Sequence, residues 1–363
     1  MIEQKTILDL HLHELKYLGI KPEECLFFDI ETTGLSWKTS YLYLLGIVYY
    51  ENGHWKKILW FSQRPSEEKE ILSNFSQLLY EKKYLLHYNG KTFDVPYLMH
   101  KYTFYQMNQS WEHLTQIDFY QKLLIYKRIL KIDGMKQKEM EQFIGIHRKD
   151  PYSGKDLITM YKNYLVSGEN NLQQALLLHN SEDIDGMIAL LPLVCMLQIF
   201  QNDVSEYLLS PIIPELTEQS LILTGQTKLS FPVKLDLQTD LYHINCHQNI
   251  FVITIPIYEG TLKYFFPDYK NYYYLKYEDE AIHKSIGSYV DKEYRENAKP
   301  NTCYQKMNGR FLPQFSSLFE PAFLENYKDS FSRFSFTEDF IYDENTINRY
   351  VTHLFQNIIK KIH

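Results

Sequence analysis

Apolar and polar positions alternate in several registers along the chain. In the first twenty residues, MIEQKTILDLHLHELKYLGI, apolar side chains recur at helical spacing and predict an N-terminal amphipathic helix over 1–20. CLFFDI is then a short apolar run rich in aromatics, the pattern of a buried strand. YLYLLGIVYY and HWKKILWFSQ follow as strands separated by Glu51-Asn52-Gly53, and Asn-Gly favours a hairpin because both central turn positions take positive φ. These three strands are expected to form an antiparallel meander.

After Pro65 the period changes. SEEKEILSNFSQLLYEKK reads as a helix, YLLHYN as a strand, and KTFDVPYLMHKYTFY as a helix with Pro96 in its first turn, where a missing N–H costs nothing. LTQID ends another strand, FYQKLLIYKRIL and MKQKEMEQFIG are helices, and 170–200 is helical with a break at His179-Asn180-Ser181. Three antiparallel strands followed by alternating helices and strands predict an α/β domain whose mixed sheet is flanked by helices.

Pro211 and Pro214 fall in the stretch 202–218, beyond which short strand patterns dominate. The expected organisation is the N-terminal helix, an α/β domain over 21–203, and a smaller strand-rich α+β domain over 204–363. In the latter, KLSFPVKLDL, YHINC, IFVITIPIYEG, TLKYFF and YYYLKY read as strands, EDEAIHKSIGSYVDKEYRE as a helix, and CYQKMNGRFLPQF as a hairpin turning at Asn308-Gly309. A closing helix carries one apolar stripe: Ile347, Tyr350, Val351, Leu354, Phe355, Ile358, Ile359 and Ile362.

Composition narrows the picture. The 363 residues, 45% of them hydrophobic, can build two cores. No signal peptide and no run of about 18 apolar residues suited to a bilayer is apparent, so a cytoplasmic protein without a membrane partner is expected. Cys25, Cys195, Cys246 and Cys303 are scattered, which argues against a disulfide framework or a zinc knuckle. A net charge of −7 argues against a sequence-independent DNA coat, so any contact with nucleic acid is local.

The candidate chemistry lies in carboxylates. Asp29 and Glu31, two apart at a strand end, point to one face, and burying like charges so close calls for a cation. Thr32-Thr33-Gly34-Leu35 then turns the chain, and Gly34 would let a substrate backbone approach. Asp94 opens a helix just after a strand, which is equally the place of an acid favoured by the helix dipole. His179 and Asp183, four apart, share a helix face, and the acids around them also fit ordinary helix-start chemistry.

Together, DIETTGL, NGKTFD and HNSED resemble the three motifs of the DEDD 3′–5′ exonuclease superfamily, which has a ribonuclease H-like fold, and are most similar to its bacterial YprB-like branch. The resemblance covers roughly residues 26 to 197. It implies Asp29, Glu31, Asp94 and Asp183 as ligands of two Mg²⁺ or Mn²⁺ ions, His179 as the residue acting on the attacking water, and a single-stranded DNA or RNA 3′ end as substrate. Thr32, Gly34, Leu35, Asn89 and Asn180 match substrate-contacting positions, although Leu35 equally fits a core leucine and the two asparagines could instead order the loops. Asp118 matches a supporting acid and equally fits an N-cap of the helix FYQKLLIYKRIL, and Arg148, Asp150 and Tyr161 match recurrent residues without a derivable role. One departure is the gap of four between His179 and Asp183, where the histidine-bearing class usually has five.

Other readings compete with a nuclease. A binding or adaptor module could keep the fold with little activity, and D-x-E-T-T faintly echoes a haloacid dehalogenase nucleophile motif, although the second acid is Glu and the partner motifs are missing. Between Thr261 and Gln314, nine Lys/Arg face seven Asp/Glu among many of the protein's 31 tyrosines. That mildly basic stretch could guide a strand, or simply be a solvated face.

Overall fold

The computed structural model describes residues 1–129 and 132–360. Leu130, expected to end a helix, and Ile362 of the closing stripe lie outside them. The chain divides into two compact units, Met1–Gln198 and Ile199–His363, a division five residues before the one read from the prolines.

In the first unit six strands form one mixed sheet: β1 (Ile2–Leu8), β2 (Cys25–Thr32), β3 (Leu42–Glu51), β4 (His54–Phe61), β5 (Tyr84–His87) and β6 (Thr115–Asp118). Their order is β1-β4-β3-β2-β5-β6. β1 to β4, β4 to β3 and β3 to β2 pair antiparallel, while β2 to β5 and β5 to β6 pair parallel. The helices are α1 (Glu68–Leu79), α2 (Asp94–Phe104), α3 (Phe119–Ile129), α4 (Gln137–Phe143), α5 (Gly154–Ser167), α6 (Asn170–Ala189) and α7 (Leu191–Gln201).

Strand alternation sorts the core into two layers. Leu26, Phe28 and Ile30 of β2 join Ile47, Ile58 and Trp60 against Ile71, Phe75, Val95 and Leu98 of α1 and α2. Tyr43, Leu59 and Phe61 pack on Leu157, Tyr161, Leu176 and Leu177 of α5 and α6. The odd-numbered positions of β2, Asp29 and Glu31 among them, are thus opposite in facing to the α1 and α2 layer.

Four expectations are corrected in this unit. The N-terminal amphipathic helix over 1–20 is instead strand β1, seven residues paired with the outer edge of β4, followed by a short 3₁₀ turn at His13–Leu18. Pairing satisfies the backbone groups that β4 would otherwise leave open, and this outweighs the local helical pattern. The expected break at residues 179–181 is absent, so His179 and Asp183 sit inside the twenty-residue α6. A helix that the periodicity reading passed over, α5, is bounded by a Ser153/Asp156 capping box and by Gly168 in the left-handed region. Finally, one described stretch, 170–201, is long and apolar enough to cross a membrane, but 72% of its apolar window is buried within the protein.

Among the described residues, the second unit holds three three-stranded sheets. β7 (Ile213–Leu216), β8 (Ser220–Gln238) and β9 (His243–Pro256) form one; β10 (Tyr258–Phe265) pairs with β14 (Tyr304–Gln314) and β14 with β15 (Ser332–Ser335); β11 (Tyr272–Leu275) lies between β12 (Glu280–His283) and β13 (Arg295–Asn297). Pro232 falls where the β8–β9 register shifts between Phe231 and Leu235, a place where a missing donor is tolerated. The expected long helix over 278–296 is one turn, α8 (Lys284–Gly287), between β12 and β13. Asn308-Gly309 does not turn: it lies mid-strand in β14, opposite Thr261 and Gly260, because two neighbouring strands pair with this segment. The closing helix α9 (Glu344–Lys360) buries Ile347, Tyr350, Val351, Leu354, Phe355 and Ile358, so its stripe is core.

Candidate metal-binding active site

The site forms where β2 runs out of the core. Its last residues alternate between buried apolar side chains and the partly exposed Asp29 and Glu31, and a register irregularity at Glu31/Thr32 separates the strand from β3 just beyond them. β5, parallel to β2, delivers the chain to the same sheet edge, and the loop after it opens α2 with Asp94. The Ile30 backbone, between the two acids of β2, is one of the groups that favour the charged form of Asp94.

Helix α6 lies against β2 and closes the group. His179 Nε2 is 3.4 Å from Glu31 Oε1 and 3.1 Å from Asp183 Oδ2. Asn180 Nδ2 donates to Asp29 Oδ2 at 2.7 Å. Glu31, His179 and Asp183 each offer a ligand atom within 4.8 Å of the others. The gap of four between His179 and Asp183 therefore serves geometry well, because it stacks both on one helix face.

Electrostatics show how closely the acids are gathered. Burial, then the neighbouring Asp183, Asp94 and Glu31, raise Asp29 well above the usual carboxylate range. Glu31 is pushed up to about 8, by burial and then by Asp183 and Asp94 against a lowering pull from His179. Asp94 rises to about 7, mainly through burial. For Asp183 burial acts upward too, but His179 and Arg148 outweigh it and hold the group below its ordinary value. Burial alone would lower His179; Asp183, Glu31 and Asp150 instead lift it to about 9.

Two residues without a role in the sequence now have places. Arg148, only 6% exposed at its side chain, makes a bidentate pair with buried Glu141 of α4 and reaches Asp183 Oδ1 at 2.5 Å through Nη1. Asp150 Oδ2 meets His179 Nδ1 at 2.5 Å and Lys138 Nζ at 2.8 Å. Glu182 accepts from the backbone N–H groups of Lys149 and Asp150, strapping this loop to α6. Residues 148 and 150 thereby grip Asp183 and His179 respectively.

The remaining predicted residues divide. Asn180 is fully buried and orients Asp29. Asn89, at φ 58°, accepts from Thr92 Oγ1 through its side chain and donates its backbone N–H to Asp118. Asp118 also accepts from Tyr120 N and so caps α3. Thr32 Oγ1 closes the turn on the Gly34 carbonyl. Gly34 is not at positive φ, and a Cβ there would make only ordinary contact with Ser40. Leu35 is 84% exposed. Tyr161 stacks on Tyr43 in the core at 4.1 Å, away from any solvent-facing role. Gly46 and Lys57 escaped notice: a Cβ at Gly46 would collide with Asn180, and Lys57 Nζ holds Ser181 and Asp185 of α6, each at 2.7 Å.

Residues 26–195 match the family model of the RNase H superfamily. The first unit has a ribonuclease H-like fold. Solved structures similar to the chain include a family B DNA polymerase from the hyperthermophilic archaeon Pyrobaculum calidifontis, at 12% identity over 69% of this chain and 35% of that one, TM-score 0.38. A product-bound exonuclease I matches at 11% identity over 55% and 58%, TM-score 0.32. Zinc-bound E. coli ExoI in complex with single-stranded DNA matches at 11% over 93% and 72%, TM-score 0.30. The chain thus spans about a third of the polymerase and little more than half of the product-bound exonuclease I. No curated protein matches it.

The donor set of this ribonuclease H-like domain fits a divalent cation. Asp29, Glu31 and Asp94 are raised in a half-buried cleft by burial and by neighbouring carboxylates, Asp183 among them, and cationic groups that act on the acids are Arg148, bound to a single oxygen of Asp183, and His179. Oxygen-rich ligands of this kind suit hard ions such as Mg²⁺ or Mn²⁺.

Proposed function

We propose that the domain is a metal-dependent nuclease, specifically a 3′–5′ exonuclease that hydrolyses phosphodiester bonds at single-stranded DNA or RNA ends with two Mg²⁺ or Mn²⁺ ions. The observation that supports it most is the grouping of Glu31, Asp183 and His179 at one point, with Asp29 and Asp94 close enough to act on the same acids, a concentration of half-buried carboxylates that is costly without cations.

Asp29, Glu31, Asp94 and Asp183 would hold the ions. When bound, these would supply the counter-charge for the phosphoryl group and the leaving oxygen and make a water more acidic. His179 presents Nε2 to the cleft while Asp150 holds Nδ1. The carboxylates lift His179 to about 9, so it would act as a base only where bound cations offset their charge and leave it neutral; in that form Asp150 favours the proton on Nδ1, and Nε2 would accept one from the attacking water. As that water's oxygen bonds to phosphorus, the bond from phosphorus to the 3′ oxygen breaks, and the leaving oxygen takes a proton from solvent. Asn180 keeps Asp29 in one orientation, and Arg148 does the same for Asp183.

The test is digestion of 5′-labelled single-stranded DNA and RNA with Mg²⁺ or Mn²⁺, beside Asp29→Asn. A ladder shortening from the 3′ end, absent in the variant, supports the proposal. One observation favours a second reading, a weakly active nucleic-acid-binding module: Arg148 already neutralises one oxygen of Asp183. Binding of the labelled strand without cleavage in either metal would select that reading.

A further inference from the structure

The loop that follows Glu31 is unusual in what it exposes. Its base is locked: Thr33 N donates to the Tyr41 carbonyl and Tyr41 N to Thr33 Oγ1, Ser40 Oγ bonds Ser36 O and the Tyr97 hydroxyl, and Lys101 Nζ reaches the Ser40 carbonyl at 2.6 Å. Lys101 is itself buried against Glu68. Yet the loop holds apolar surface in solvent. The Trp37 ring stacks on His100 of α2 at 4.9 Å and 16°, with Lys38 Nζ over the indole at 5.4 Å. Phe104, 60% exposed, sits edge-on to Trp37, and Leu35 of the same loop is exposed.

A loop held by buried polar anchors, with Trp37 half-buried on the core and the exposed rings of His100 and Phe104 of α2 beside it, presents a preorganised aromatic surface. Its two supporting elements are those that carry Glu31 and Asp94. His100 lies six residues beyond Asp94 on α2, about 9 Å along the helix axis. At about 3.4 Å per stacked nucleotide that is a reach of about two to three nucleotides. Charge agrees with a polyanion: in a protein of net charge −7, residues 32–41 and 91–105 carry Lys38, Lys91 and His100 at the surface, with Lys101 buried in its pair with Glu68, and a single acid, Asp94, which belongs to the site. From these features we infer that Trp37, Lys38, His100 and Phe104 form a stacking platform for unpaired bases of a nucleic-acid strand, a few nucleotides upstream of the end held at the carboxylates. The inference rests on the nuclease reading above. Aromatic faces accept any base, so the platform confers affinity for single strands without sequence preference.

The experiment uses the full chain carrying Asp29→Asn, with Ca²⁺, and measures fluorescence anisotropy of labelled oligothymidylates of three and twelve nucleotides. In this parent the 12-mer binds more tightly than the 3-mer. Adding Trp37→Ala, or separately the exposed Phe104→Ala, shrinks that gain about tenfold, a loss within the range of one base–aromatic stack, at an unchanged melting temperature for Phe104→Ala. A full length-dependent gain in both variants overturns the platform while leaving the nuclease proposal standing. A parent that binds neither oligonucleotide overturns both. Self-association in sedimentation that Phe104→Ala abolishes, with oligonucleotide affinity intact, would assign the surface to a second copy of the chain and overturn the inference.

Discussion

Gly46 on β3 lies in register with Asp29 on β2, and the space where its Cβ would stand is filled by the side chain of Asn180 from α6. The absent methyl lets the helix come near enough for Asn180 to grip Asp29. One glycine thus joins the packing of the domain to the orientation of its central acid. Gly46→Ala is expected to destabilise the protein by about 1–3 kcal/mol, the cost of overpacking a buried contact. It should also reduce the cleavage rate beyond what the fraction unfolded explains. Chemical denaturation beside initial rates at a temperature where the variant is folded checks both.

Asp150 is the group against His179 Nδ1, and the side chain is almost fully buried. Asp150→Asn keeps the shape but removes the acceptor charge that holds the proton on Nδ1. The turnover number should fall about 10²-fold, the scale of lost general-base assistance, with little change in KM. ¹⁵N NMR of labelled histidine gives the independent readout: the Nδ1–H tautomer of neutral His179 should dominate in the parent and lose that dominance in the variant.

Arg148 bridges two acids, so its removal leaves buried Glu141 without its cation. Arg148→Met should cost about 3–5 kcal/mol, as breaking a buried ion pair from one side does. Combining it with Glu141→Leu should recover part of that loss, because the buried Glu141 charge is removed with its partner while Asp183 keeps His179. A urea denaturation series on the wild type, single and double variants tests the sign of the coupling.

In the second unit, Asp279 accepts from the hydroxyls of Tyr274 and Tyr304 and pairs with Lys306, and the Tyr274 bond foremost holds its carboxyl well below the usual range. A depressed folded value means that stabilisation is complete above the unfolded value of about 3.9 and fades as pH falls below it. Asp279→Asn, which also tolerates the positive φ of this position, should be less stable than wild type at pH 7, and the gap should begin to narrow below about pH 4 and keep narrowing as pH falls toward the depressed folded value. Melting temperatures from pH 7 to the lowest pH at which both proteins are folded test this; a gap that does not narrow at all below about pH 4 contradicts the assignment.

The site was legible in proportion to how local its signals are. Asp29 and Glu31 could be paired from strand alternation alone, and the His179–Asp183 spacing from helix periodicity. Gly46 carried a readable sign, a lone glycine within an apolar strand, which marks close approach of another element. Arg148 and Asp150 gave none, because their partners lie 35 and 29 residues away and only the fold brings them together. The misread segments share a cause. Residues 2–8, and Asn308-Gly309, took the conformation that neighbouring strands required of their backbone, over the preference of the local sequence.

The central claim is that the four carboxylates of the first unit hold divalent metal. Titration of the metal-free protein with Mn²⁺, followed by the loss of free-ion signal in electron paramagnetic resonance, tests it without reference to any substrate. The account predicts saturable binding approaching two ions per chain, weakened at least tenfold by Asp29→Asn and by Asp94→Asn while both variants remain folded. Binding that is negligible in the wild type, or that is unaffected by either substitution, would contradict it.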